Sequence, residues 1–488
     1  MKHISIIILF TLLFVACRSN GPDKYEQISS LPDIFPDYTN ITIPYNIAPL
    51  NFYVTDAKKV KVTITGKEKY TFQSKSSLMS FPEKQWKKML EAEKGNTLEV
   101  YVVIETEKSD QGFQGFEWKV ANEPIDLYLS YRLIEPAYEV WNMIQICERN
   151  IENFNVKLLG DNNITDHSCM NCHTSNRQEN PTTYMHVRGT KGGTIYCKDG
   201  KLQKFNTKTP ETSGVAVYGE IDNQGRYGIF TTAEIIPMIH SYRTKRMEVY
   251  DEQSDLILID FEKGTISDTP LVTGKDFLET FPCFSTDNKK IYFCRTPHLS
   301  QPDSTAYMHY DLYSIEFDPK TGMLADTIQL EVEAKAMGKS ISFPKCSPDG
   351  KHLLLTVSDY GTFPIWHVET DLWMLNLSTG EINNMEETNG RYSDSYHSWS
   401  SNSKWITFAS KRDDRVYGRP YFAYVDEGGN TSKAFVLPQK DPHYYSNTLK
   451  SFNIPELYNK SSIYDAHDLK RIYFNEEAKQ LIYNTNYN

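Results

Sequence analysis

Four stretches in the second half of this chain repeat one layout, and that repetition limits the fold more than any other feature. Cys346-Ser347-Pro348-Asp349-Gly350-Lys351-His352-Leu353-Leu354-Leu355 reads as strand, polar turn, strand. Residues 284 to 293 and 399 to 408 share the layout, and 220 to 230 is a weaker copy. The copies start 64, 62 and 53 residues apart. Most are followed by a second hairpin, as at Asp371 to Glu381, which makes four strands per unit. Such a unit cannot bury both its faces alone, and this period predicts sheets packed around an axis, a β-propeller. Gly193 to Thr207 looks like an outer hairpin without its inner strands. Arg471 to Phe474 and Gln480 to Tyr483 look like late strands seeking a partner. Joining first and last strands in one sheet would remove the open edge, and the expectation is roughly five or six blades, six preferred.

Upstream the reading is also mostly β. Aromatics make up 13% of the residues, with 32 Tyr and 24 Phe, which favours strands. Residues 59 to 65, 97 to 104 and 125 to 131 alternate apolar and polar, as half-buried strands do. Phe81-Pro82-Glu83 opens a short helix through Trp86, Met89 and Leu90. Residues 40–137 are therefore expected to form an N-terminal β-sandwich. In 138–191, Val140, Trp141, Ile144, Ile151 and Phe154 recur at helical spacing, so this part is expected to be a short helical linker. The propeller takes 192–488, and 18–39 is a polar tether.

Lys2 and His3 precede an apolar run from Ile4 to Ala16, too short for a membrane span and shaped like a secretory signal. It ends at Phe14-Val15-Ala16-Cys17, which resembles a bacterial lipobox despite Phe standing where Leu is commoner. Residues 1–17 are thus expected to be a lipoprotein signal with Cys17 as the lipidated residue; a plain cleaved signal is the alternative. Net charge is −11 without a basic block, which argues against nucleic acid as a partner. Of eight cysteines, Cys147, Cys197, Cys283, Cys294 and Cys346 remain after the anchor and a CxxC pair. They read as buried thiols, with a Cys283–Cys294 cross-strand disulfide as the alternative.

Cys169-Met170-Asn171-Cys172-His173 is the attachment signal for haem c. Two thiols at this spacing reach the two vinyl groups, and the next residue presents an imidazole to the iron. Cys169 and Cys172 are the expected anchors and His173 the proximal ligand. Zinc on Cys169, Cys172 and His173 with Cys197 or His186, a redox dithiol and a structural disulfide compete with this reading. In Tyr184-Met185-His186-Val187-Arg188-Gly189, His186 is the candidate distal ligand, Met185 its alternative, and Arg188 a candidate propionate partner. Met238 and His240 are more distant ligand candidates. Gly192 and Gly193 read as a tight structural turn.

The Ser-Pro-Asp-Gly-like turns resemble the TolB-type propeller repeat from about residue 190 to the end. Several motifs together then carry a resemblance over nearly the whole chain: Ile43-Pro44-Tyr45-Asn46-Ile47-Ala48-Pro49-Leu50-Asn51-Phe52, Tyr131-Arg132-Leu133-Ile134-Glu135-Pro136, the CxxCH, His186-Val187-Arg188-Gly189, Gly192-Gly193-Thr194 and Asn453-Ile454-Pro455-Glu456. These resemble the TolB-like propeller lipoproteins with an embedded cytochrome c motif, often labelled cytochrome c biosynthesis proteins. Ala137 departs from the Gly expected there. The resemblance implies one covalent haem c, contacts at His186 and Arg188, and an envelope location. That location is expected to be the outer membrane facing the periplasm. Electron transfer or redox sensing with an envelope partner is the leading expectation. The alternative is a binding module whose propeller face takes a protein, peptide or glycan. Catalysis is less expected: G-x-S-x-G and HExxH are absent, and Asp394 and His397 read as turn or blade packing.

Overall fold

The computed structural model describes residues 25–135, 143–176, 182–239, 247–299 and 308–484. Cys17, Ala137, Val140, Trp141, His240 and the side chains of Cys172 and Met238 lie outside the described residues.

The N-terminal part, the expected β-sandwich, holds two sheets. Its larger sheet holds seven strands, with Thr97–Glu105 paired to Phe116–Ala121 on one side and Lys59–Thr65 on the other. In Lys59–Thr65, valine and isoleucine alternate inward against lysine and threonine outward. A second sheet has three strands, Ile34–Phe35, Phe52–Val54 and Leu78–Met79. The helix Glu83–Ala92 buries Trp86, Met89 and Leu90. The Trp86 and Trp118 rings meet edge to face at 5.6 Å.

The sandwich begins earlier than residue 40. Glu26–Gln27 and Ile34–Phe35, inside the expected tether, pair with Asp110–Gly112 and Phe52–Val54. It also ends earlier than 137, because Tyr128–Ile134 pairs with Ser451–Tyr458 from the far end of the chain.

The rest of the described chain is a β-propeller of six sheets. Each contains four consecutive-neighbour strands, and their first strands are Met170–Ser175, Ala216–Ile221, Phe277–Phe284, Ser340–Cys346, Asp394–Trp399 and Ser451–Tyr458. Each of these first strands packs against the next, and Ser451–Tyr458 touches both Asp394–Trp399 and Met170–Ser175. The last sheet is composite, since Ser451–Tyr458 continues outward through Tyr128–Ile134, Ile144–Asn150 and Val156–Asp161.

This arrangement corrects three expectations. The expected helical linker is strand throughout its regular described part, apart from one turn of 3-10 helix at Asn162–Ile164. Ile144 and Ile146 are buried on either side of half-buried Gln145, which is β alternation; the residues that mimicked a helix at 151 and 154 sit beyond the strand's end. Second, the hairpin at 193 to 206 does have inner strands, Met170–Ser175 and Thr183–Val187, which lie in the supposed linker. Third, residues 471 to 474 belong to the helix Ala466–Asn475. Asp465 caps it reciprocally with Asp468, and Leu469, Ile472 and Tyr473 form its buried stripe. The segment after it joins outer edges: Lys479–Gln480 adds to Lys201–Asn206, and Ile482–Tyr483 to Thr265–Ser267.

Candidate functional site

All six first strands carry the same defect. The pairing register shifts at 171/174, 217/219, 280/283, 342/345 and 395/398, and opposite 453/456 in the composite sheet. Five of the extra residues take left-handed backbone angles: Tyr218 at φ 34°, Phe281 at 50°, Phe343 at 52°, Tyr396 at 51° and Ile454 at 52°. Bulges of this kind re-aim side chains and interrupt pairing. Here they send rings inward, with Phe281 and Phe343 centroids 3.9 Å apart and Phe343 and Tyr396 4.9 Å apart. The residues that follow are Gly219, Pro282, Pro344, His397 and Pro455. In the strand Met170–Ser175, Cys172 and His173 occupy these two steps.

The CxxCH motif therefore lies on the propeller's innermost strand. All six first strands contribute to an axial cavity of about 60 Å³, whose lining includes His173, Phe281, Phe343, Tyr396 and Ile454. His173 is 7% exposed, and neither ring nitrogen has a hydrogen-bond partner. The backbone of Ile454 comes near the ring without meeting hydrogen-bond geometry. Burial, aided by the nearby Arg132 charge, holds the imidazole neutral with a pKa pushed down to about 3. Cys169, just before the strand, is a buried thiol packed with Met170, Met185 and Val187. Burial raises its pKa, while Arg132 and Arg188 act in the opposite direction. Glu456 ties the composite sheet to the CxxCH strand, accepting from Thr174 Oγ1 at 2.9 Å and from Ser175 N at 2.9 Å.

The other expected contacts separate. Adjacent residues of a strand point to opposite faces. Met185 lies in the core cluster of Cys169, whereas His186 lines a different cavity, of about 720 Å³, together with Arg188, Gly192, Lys204 and Tyr473. His186 Nδ1 lies 3.2 Å from Thr194 Oγ1, and burial followed by the Arg188 charge pushes its pKa down to about 4. His173 and His186 line separate cavities. Gly192 is required for close approach: a Cβ there would sit 2.4 Å from the Val187 carbonyl.

Among the described residues no three His, Cys, Asp or Glu side chains gather as a metal site needs. Cys283 and Cys294 are free thiols, and their strands pair Thr280 with Cys294 and Cys283 with Tyr292, so they are not opposite each other. Asp394 is buried against Arg412 at 3.0 Å, and His397 bonds Thr356 Oγ1 at 3.1 Å and the Leu354 carbonyl at 3.0 Å. His397 also lines the axial cavity. Arg132, whose charge acts on both Cys169 and His173, is a buried residue of Tyr128–Ile134 that sequence alternation does not mark.

No protein-family model matches the sequence, and no curated protein matches it. Among solved structures the chain is similar to an oligogalacturonate lyase from Vibrio parahaemolyticus at 11% identity, covering 64% of this chain and 79% of that one, with a TM-score of 0.35. A DUF4784 family protein from Bacteroides caccae gives 9% identity, 72% and 94% coverage and a TM-score of 0.27. Prolyl oligopeptidase B from Galerina marginata gives 9% identity, 60% and 41% coverage and a TM-score of 0.34. No helix among the described residues is long and apolar enough to cross a membrane.

Proposed function

We propose that this chain is an envelope lipoprotein, anchored through Cys17, that carries one covalent haem c and acts in electron transfer or redox sensing. In this reading the six sheets close into a six-bladed propeller that serves as the docking platform for an envelope partner. The circuit of contacts among the six first strands supports closure, and it matches the resemblance to TolB-like propeller lipoproteins.

One observation carries the haem reading. His173 and His397 follow the bulge in their strands and are equally sequestered, yet only His397 has partners for its nitrogens. No described residue partners either nitrogen of this buried imidazole, and that supports a ligand at His173. Cys169, Cys172 and His173 are the residue types that haem c attachment uses. Cys169 and Cys172 would form the thioethers, and neutral His173 would offer its lone pair to the iron. When bound, haem supplies one-electron cycling. The burial of His173 keeps protons off the ligand nitrogen and excludes water from it. His186 and Met185 are the candidate second ligands, and Arg188 a candidate carboxylate partner.

The test is a denatured pyridine haemochrome spectrum of protein exported alongside a cytochrome c maturation system. A c-type α-band that survives acid-acetone extraction is expected. Extraction of all haem, or a colourless protein, would remove the redox reading and leave the propeller as a protein or glycan binding module.

A further inference from the structure

We propose that Cys283 and Cys346 close a disulfide that staples the third and fourth sheets of the propeller; the oxidising compartment where it forms rests on the envelope reading above.

The bulged first strands fix where the two residues stand. Two residues past each left-handed position come Glu220, Cys283, Lys345, Ser398 and Glu456. In three of these sheets that side chain accepts from a backbone N–H of the next first strand. Glu220 Oε2 accepts from Phe284 N at 2.7 Å, Ser398 Oγ from Leu457 N at 3.1 Å and Glu456 Oε2 from Ser175 N at 2.9 Å. Phe284 and Leu457 each stand three residues past the left-handed position of their own strand, and Cys346 holds that step in the fourth sheet. The register that aims Ser398 at Leu457 therefore aims Cys283 at Cys346. A γ atom this close to the neighbour's backbone nitrogen is also close to its Cβ, and a disulfide needs Cβ atoms about 3.5–4.5 Å apart. The strands Phe277–Phe284 and Ser340–Cys346 pack together, and both cysteines belong to one apolar cluster.

Contact between the thiols is a second observation. They stand unjoined in the structure but interact directly, and burial followed by the Cys346 thiol holds the Cys283 pKa well above its ordinary value. Burial also leads at Cys147, Cys169, Cys197 and Cys294, yet no other thiol acts on any of them. A thiol buried this way is a poor nucleophile, so the bond forms while the two sheets are still coming together. The oxidant is a disulfide, of a small thiol or of a thiol oxidoreductase. One chain thiolate displaces half of it to give a mixed disulfide, and the second thiolate displaces the other half. The chain loses two electrons, the donor becomes two thiols, and the two protons pass to them. Cross-linking a stretch as long as 283–346 restricts the unfolded chain strongly.

The experiment uses the full chain exported alongside a cytochrome c maturation system, as wild type, Cys283→Ala and Cys346→Ala. Each protein is unfolded in an alkylating agent without reductant, digested and analysed by mass. In wild type the Cys283 and Cys346 peptides should be joined, while Cys147, Cys197 and Cys294 carry the alkyl label. Heating with a phosphine reductant should lower the wild-type thermal midpoint by roughly 5 °C more than that of either variant. Should the variants fail to fold, the wild-type peptide masses decide alone. Alkylated Cys283 and Cys346 in exported wild type overturn the inference, as does either one joined to another cysteine. A joined pair whose reduction leaves the midpoint alone overturns the staple. Extraction-resistant haem is read on the same samples: joined cysteines without haem overturn the haem reading alone, and haem with both thiols free overturns the disulfide alone. A chain that is not exported overturns the envelope reading. The disulfide is then judged on reduced, unfolded chain folded with oxidised and reduced glutathione, where alkylation of both residues overturns it as well.

Discussion

His173 and His397 stand at the same step of the repeat, so their substitution separates the cost of a lost partner from that of a lost ligand. His397→Ala strips the partners from Thr356 and from the Leu354 carbonyl and opens a cavity, and should cost about 2–4 kcal/mol. His173→Ala in haem-free protein breaks no hydrogen bond and should cost less; equal losses in chemical denaturation would mean that His173 is ordinary packing. Asp126 titrates between the sandwich and the propeller. It accepts from Ser401 N at 2.9 Å and Ser401 Oγ at 2.6 Å, makes no ion pair among the described residues, and burial pushes its pKa up to about 6. The folded chain therefore holds this proton more tightly than the unfolded chain, whose aspartates titrate near 3.8. The stability from that proton is fully present below about pH 4 and is lost as pH rises through about 6. The loss approaches roughly 3 kcal/mol. Asp126→Asn should flatten that part of the thermal-midpoint profile between pH 4 and 7, and an unchanged slope would place the titration elsewhere.

At the scale of elements, the last residues are the informative ones. Leu481 is 1% exposed and lies between two short parallel strands that cover the outer edges of neighbouring sheets. Deleting residues 479–488 should lower the thermal midpoint by several degrees, with faster hydrogen exchange confined to Lys201–Asn206 and Thr265–Ser267; unchanged exchange there would mean the edges need no cover. These strands were legible as late β structure, and the strand–turn–strand copies were legible as blades, because alternation and turn residues are local signals. The helix Ala466–Asn475 was missed although Asp465 and Asp468 stand at capping positions, since four of its residues also fit a strand. The strand Ile144–Asn150 was missed because a bulge between Ile146 and Cys147 breaks its alternation. Of the site, the CxxCH was plain, but its place on an innermost strand depends on a register shift shared by six strands, which emerges only once those strands are aligned around an axis.

For the whole molecule, the decisive feature is that sequence-distant segments complete two of the six sheets. The composite sheet takes one strand from 451–458 and three from 128–161, and the CxxCH sheet takes its first two strands from 170–187. A fragment beginning at residue 192, the apparent start of the repeats, lacks three strands of one sheet and two of another. Its Ser451–Tyr458 would have no neighbour to pair with, and an unpaired apolar strand edge promotes aggregation. Glu456 would also lose Thr174 and Ser175, leaving a buried carboxylate without donors. We expect the 192–488 fragment to be insoluble or molten, with no cooperative thermal transition, whereas residues 25–488 should unfold in a single main transition that carries sandwich and propeller together. The sandwich is expected to share that transition because Asp126, Pro124 and Glu123 bind the Ser401–Trp405 turn directly. Calorimetry of both chains decides it: a cooperative 192–488 fragment would mean that the apparent repeats are self-sufficient and do not need the CxxCH sheet to fold.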